Sequence, residues 1–313
     1  MSGGHRGRNA RPVRGRTAAW RDDHDVRPIV SSDDLTDLLG HPDSPDGTVL
    51  IEVGTTMAGG DPAVAFGTER IAGACLLSLD DDLASDPGPH VGRHPLPSPV
   101  DFAAVLGRVG VGDRTSVVAY DRVIGGHAAR LVWMLRVLGG HAALLDGGLT
   151  GWTGPTESGP PAAVEPVDRR PLEWPDHALA DADDVARLID DGGTVVDSRD
   201  AARYRGEVEP LDPVAGHIPG AINLPFAENL VAGADGSPTA TFRSLDELDQ
   251  RFLSVSAAAD AGQLIVSCGS GVTACHNALA LEAVGYRRPK VYVGSWSGWS
   301  SDPHRPVAVG DEA

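Results

Sequence analysis

Shifted by 147 positions, the chain matches itself. Arg70-Ile71-Ala72-Gly73-Ala74 falls on His217-Ile218-Pro219-Gly220-Ala221, and Val117 through Asp121 falls on Leu264 through Cys268. Gly147-Gly148 falls on Gly294-Ser295, and Trp152 on Trp299. One offset held over about 80 residues implies two copies of one supersecondary plan, each about 120 residues long, the size of a domain rather than of a solenoid repeat. The reading divides the chain into an Arg-rich tail (1–27), a first copy (28–152), a linker (153–176) and a second copy (177–307). The linker carries Pro155, Pro160, Pro161, Pro166, Pro171 and Pro175 without apolar periodicity, so it is expected to run extended over the surface.

Each copy alternates two kinds of segment. Short apolar runs, Val49–Val53, Ser116–Tyr120, Ala142–Leu145, Thr194–Asp197, Gln263–Ser267 and Lys290–Val293, read as strands covered on both faces. Between them Ser32–Leu39, Ala128–Leu138, Ala182–Asp190, Ser244–Leu253 and Thr273–Val284 read as helices. The pattern predicts an α/β chain of two tandem domains, each a parallel sheet with helices on both faces. In such sheets the functional loop lies beyond a strand's carboxyl end, where the next helix begins.

Composition narrows the chemistry. Forty-four acidic residues against 26 basic ones leave a formal charge of −18, which argues against nucleic acid as the partner. Such a chain takes an anionic substrate only in a local cationic pocket. No apolar run reaches the ~20 residues needed to span a bilayer. The first 27 residues hold seven Arg and no apolar segment, so they do not read as a secretory signal. Three cysteines, Cys75, Cys268 and Cys275, make neither a disulfide framework nor a metal-ligand spacing, which fits a reducing, cytoplasmic setting. The histidines His5, His24, His90, His94 and His141 have no ligand spacing and are expected at the surface or in turns; no metal or organic cofactor is implied.

The string CGSGVTAC, residues 268–275, follows one of the strand-type runs and opens a helix-type run. A cysteine there sits at the positive end of a helix. Gly269 and Gly271 permit a tight turn with positive φ, so that the N–H groups of Ser270 through Thr273 can converge on an anion held at the sulfur. A small buried cysteine in a glycine turn is the alternative. The repeat sharpens the choice: the position equivalent to Cys268 is Asp121, which has no thiol chemistry, so the first copy serves to support the second and shape its substrate site.

With these strings in view, the chain resembles the rhodanese superfamily in its tandem form, which comprises thiosulfate sulfurtransferases and 3-mercaptopyruvate sulfurtransferases. The resemblance spans about residues 28–307 and rests on RHPLPSP (93–99), AARLVWMLRVLGGH (128–141), LDGGLTGW (145–152), VVDSRDAARYRGEVEP (195–210), GHIPGAINLPF (216–226), CGSGVTACHNALAL (268–281) and VYVGSWSGW (291–299). It implies two rhodanese-like domains, with Cys268 as the catalytic cysteine that becomes a persulfide. It further implies that Gly269, Ser270, Gly271, Val272 and Thr273 form the loop around the transferred sulfur, and that Arg203 pairs with the donor's anionic group. His217, Asp197 and Arg199 are expected to be structural, and Cys75 and Cys275 to be packed thiols. The neutral Gly269 and Ser270 after the cysteine are similar to the mercaptopyruvate type, since thiosulfate-type members carry cationic side chains there.

Two positions depart from that pattern. Arg70 replaces the family's first-copy His, an exchange that gives up proton transfer but keeps a cation able to orient the donor across the domain cleft. The second substrate arginine falls by position on Leu211. The implied activity moves a sulfane sulfur from 3-mercaptopyruvate or thiosulfate to cyanide or a thiol; a non-enzymatic persulfide carrier is the other reading. A phosphatase of the Cys-x5-Arg type would need Arg where Ala274 stands. The expected partners are a small anionic donor and a thiol or cyanide acceptor, with neither nucleic acid nor membrane, and the expected state is a monomer or weak dimer.

Overall fold

The computed structural model describes residues 27–40, 47–56, 59–234 and 236–311. The Arg-rich tail thus lies outside the described residues except for Arg27, which pairs with Asp34 at 2.7 Å; His5 and His24 lie outside them as well.

Two five-stranded parallel sheets carry the fold. In the first, the order is Ile29–Val30, Ala142–Leu145, Ser116–Tyr120, Thr48–Gly54, Cys75–Ser78. In the second, it is Leu179–Ala180, Lys290–Tyr292, Leu264–Ser267, Thr194–Asp197, Ala221–Asn223. The two orders correspond strand for strand, as the repeat requires. The central strands match the apolar runs of the sequence; the edge strands Ile29–Val30, Cys75–Ser78, Leu179–Ala180 and Ala221–Asn223 are too short to show any alternation. The sequence reading also passed over the helix Pro99–Arg108, although its start is marked: Ser98 accepts from the Asp101 N–H at 3.1 Å, and Pro99 fills the first turn.

The two halves meet through equivalent helices, Gly126–Val137 and Thr273–Ala283. Each must cover its own sheet and also face the other half, so neither shows a polar side: ten of the twelve residues in Gly126–Val137 are buried. Trp133, Leu131 and Leu135 of one helix and Ala278, Leu279 and Leu281 of the other belong to a single hydrophobic cluster that spans both halves. Residues 153–176 lie along the first half: Thr156–Glu157 pairs antiparallel with Arg70–Ile71, and Trp174 donates to the Pro97 carbonyl at 2.8 Å while its ring meets Phe102.

One buried group ties this seam to pH. His276 is fully buried, stacked on Phe242 with Phe226 at its edge, and its Nδ1 faces Asn229 Nδ2 at 3.2 Å. Its Nε2 has no hydrogen-bond partner. Burial, with help from Arg251, pushes its pKa down to about 3. Above about pH 6.5 the ring is neutral in both the folded and unfolded chain. Below that, the unfolded chain takes up a proton that the fold refuses, so stability falls as pH drops, with a slope for this one group that approaches about 1.4 kcal/mol per pH unit by about pH 5.5. Denaturant titrations between pH 7 and 5 should show that slope, and His276→Gln should flatten it by the same amount; equal slopes in the two proteins would show that His276 is not the group responsible.

Candidate active site

Cys268 directly follows the strand Leu264–Ser267, and the helix Thr273–Ala283 begins five residues later. The Gly271 N–H donates to its Sγ at 3.1 Å. Gly271 has φ +74°, and a Cβ there would lie 2.5 Å from the Val293 carbonyl oxygen, so both its conformation and its surroundings demand glycine. Gly269 needs no left-handed φ, contrary to the sequence expectation; its constraint is the close approach of guanidinium groups described below. Val272 is buried, and Thr273 opens the helix with its methyl group against Gly126 of the other half. The cysteine side chain itself is only 1% exposed. Cys275, the third residue of the helix, donates to the Gly271 carbonyl at 3.3 Å; burial pushes its thiol up to about 12, so it stays a neutral packed thiol. Burial likewise raises the Cys75 thiol.

The first half shows what this loop does with an anion. At the equivalent position the Asp121 carboxylate accepts from the N–H groups of Val123, Gly125, His127 and Ala128, at 2.9 to 3.1 Å. In the second half the Gly271 N–H makes the corresponding contact to the Cys268 sulfur. A second parallel concerns backbone strain. Gly148 has φ +53°, and its equivalent Ser295 adopts φ +51°, a conformation that costs a non-glycine residue roughly 1 kcal/mol or more. The Ser295 hydroxyl accepts the Cys268 N–H at 3.1 Å and donates to the Tyr292 carbonyl at 2.8 Å, which fixes the Cys268 backbone.

The first half also reaches into the loop. Ser270 Oγ lies 2.8 Å from His94 Nδ1, and His94 Nε2 lies 3.4 Å from Asp80 Oδ1. Burial of Asp80 opposes its ionisation, but hydrogen bonds from Thr56 and Thr55 outweigh this and keep it an anion able to accept from Nε2. Burial and the nearby Arg130 hold His94 below its usual range, so the ring is neutral near pH 7, with Nδ1 free to accept from the serine. His94 is therefore no surface or turn residue, as the sequence reading had it; His90 and His141 are exposed. Arg130, on the helix Gly126–Val137, is fully buried and donates to the Gly271 carbonyl at 2.9 Å and the His94 carbonyl at 3.0 Å. No carboxylate among the described residues pairs with it, so an uncompensated cation stands behind the cysteine loop.

Arg203 comes from the short helix Ala201–Tyr204 and bonds Glu209 at 2.6 Å and Asp212 at 3.4 Å. Burial would raise the Glu209 carboxyl, but Arg203 and the Leu211 and Asp212 N–H groups hold it low. A Cβ built on Gly269 would lie 3.1 Å from Arg93 Nη2 and 3.4 Å from Arg203 Nη1, so two guanidiniums flank the residue next to Cys268. Arg93 also pairs with Asp212. Leu211 supplies no charge and is largely exposed. Arg70 is not brought to the loop: it is 1% exposed and bonds Glu157 at 2.9 Å, the Gly159 carbonyl at 2.7 Å and the Pro160 carbonyl at 3.3 Å, fastening the linker to the first half. An arginine in that position satisfies linker carbonyls that water would otherwise have to meet. His217, stacked on Tyr204 and bonded to its carbonyl at 2.8 Å, and Arg199, paired with Asp197, are structural. Among the described residues no cluster is arranged to hold a metal ion, and no helix is long and apolar enough to cross a membrane.

The chain was compared with known proteins. Residues 181–302 match the rhodanese-like domain model. A protein of Pseudomonas aeruginosa named "Probable 3-mercaptopyruvate sulfurtransferase" is 39% identical over 90% of this chain and 98% of its own length. A Mycobacterium tuberculosis protein named "Putative thiosulfate sulfurtransferase SseB" is 35% identical over 88% of this chain and 95% of its own. The solved structure of the 3-mercaptopyruvate sulfurtransferase from Escherichia coli superposes with a TM-score of 0.70 at 29% identity, covering 87% of this chain and all of that one. The strand order shared by the two halves, the cysteine loop carried by only one of them and these similarities place the chain in the tandem-domain rhodanese superfamily of sulfurtransferases.

Proposed function

We propose that Cys268 takes a sulfane sulfur from 3-mercaptopyruvate and passes it to a thiol or to cyanide. The observation that carries this reading is the hydrogen-bonded chain Ser270–His94–Asp80 beside a cysteine whose sulfur already accepts a backbone N–H. The Cys268 thiolate attacks the donor sulfur, the new S–S bond forms, and the carbon–sulfur bond breaks with its electron pair moving onto the donor carbonyl as an enolate. The proton that arrived on the donor sulfur then leaves the acidic persulfide for the enolate carbon, with Ser270 and His94 as the relay, and pyruvate departs. The amide-lined loop and the Arg130 charge have the sign that the remaining persulfide anion needs. An acceptor thiolate, or cyanide, attacks the outer sulfur, takes it, and returns Cys268 as thiolate. The partners in this reading are a small anionic donor and a thiophilic acceptor, in a reducing, cytoplasmic setting that keeps the three cysteines free.

Thiosulfate needs no proton on its sulfite leaving group, so the serine–histidine pair separates the two donors. Ser270→Ala and His94→Gln should each lower kcat with mercaptopyruvate on the order of a hundredfold and leave thiosulfate turnover within a few-fold; equal losses with both donors would remove the relay from the mechanism. Cys268→Ser should abolish turnover with either donor. Donor-treated wild type, digested and weighed, should carry one extra sulfur atom on the Cys268 peptide. A protein that acts only as a carrier would gain that sulfur once and show no multiple turnover.

A further inference from the structure

Arg93 lies in the first half, yet its position is set by the second. Its N–H donates to Ser297 Oγ at 3.1 Å, and a Cβ on the preceding Gly92, which has φ +86°, would lie 2.5 Å from the Gly294 carbonyl oxygen. The next residue, His94, is anchored through its carbonyl to Arg130. The side chain thus projects from a backbone held on both sides of the domain cleft. It reaches Asp212 with one nitrogen and the face of Gly269 with another, while its Nε is buried without any hydrogen-bond partner. Arg203 reaches the same two places from the other half. The two carboxylates nearby are not equivalent. Glu209 is also held by Arg199 at 3.2 Å and by two backbone N–H groups, whereas the Asp212 side chain is bound by Arg93 and Arg203.

We propose that Arg93 is the second donor-binding arginine: with Arg203 it grips the anionic end of the sulfur donor above Gly269, and the donor's oxygens displace the Asp212 carboxylate. This rests on the reading of Cys268 as the sulfur-accepting residue. The ligand chemistry is an anionic oxygen group a short distance from the transferable sulfur: a carboxylate whose carbon lies three bonds from it, or a sulfonate-type group bonded directly to it. Two guanidinium forks meet such a group with several charge-assisted hydrogen bonds. The loop after the cysteine needs no cation of its own, because the cation arrives from the other domain.

Alkylation of Cys268 tests the clamp without turnover. Iodoacetate carries the anion and iodoacetamide does not, so the ratio of their rates at Cys268, read by peptide mass, reports the clamp alone. Arg93→Gln should lower that ratio about tenfold, as Arg203→Gln should, and should raise KM for mercaptopyruvate about tenfold with kcat within about twofold. The same KM measurement with thiosulfate distinguishes the carboxylate from the sulfonate. An unchanged ratio in Arg93→Gln overturns the proposal even if the wild type turns over normally. A lowered ratio in a protein that turns over neither donor keeps the clamp and overturns the donor reading instead. If Arg93→Gln fails to fold, Asp212→Asn decides: freeing the two arginines should raise the iodoacetate rate several-fold, and no rise overturns the displacement.

Discussion

The Arg130 guanidinium holds the two halves in the one relation that makes a site. It is fully buried and donates to the carbonyl of His94 on one side and of Gly271 on the other. Burying a guanidinium without a carboxylate is expensive, and burial does push its pKa down. The compensation is geometric. Two carbonyls from opposite halves accept from one cation, so the cysteine loop and the segment carrying Arg93 and His94 are tied through it, and parting them would break those charge-assisted hydrogen bonds. The charge also lies behind the Cys268 loop.

The two copies solve one problem in two ways. Both place a loop of N–H donors beyond the carboxyl end of a central strand. In the first copy the loop closes on Asp121, whose side-chain oxygens occupy its N–H donors. In the second, the equivalent position is Cys268, whose sulfur accepts the Gly271 N–H. The strained backbone follows the same division: a glycine suffices at 148, whereas Ser295 accepts the strain because its hydroxyl holds the nucleophile's N–H. The first copy has no cysteine at that position, but its Arg93, His94, Asp80 and Arg130 stand around the Cys268 loop.

The central strands were legible because a strand buried on both faces must be apolar throughout, as Ser116–Tyr120 and Leu264–Ser267 are. The edge strands were not, since two to four residues carry no period. The helix Gly126–Val137 was legible as a helix, but its all-round burial was explained only by the second half packed against it. Position 70 illustrates the opposite error. Alignment of the repeats put Arg70 opposite His217 and suggested a role in the cleft, yet its guanidinium meets Glu157 and the linker carbonyls, partners 87 to 90 residues away.

By itself the sequence determined the duplication, the α/β alternation, and the loop in which Cys268 is followed by small residues and a helix. These are local facts, set by periodicity and by the space a backbone turn allows. Only the tertiary structure decided what stands across from that loop. His94 and Ser270 are 176 positions apart, and no pattern within either segment encodes the 2.8 Å between them. The cleft exists because two helices buried on every side must pack together, and that packing, not any motif, selects which side chains of the first half face the sulfur.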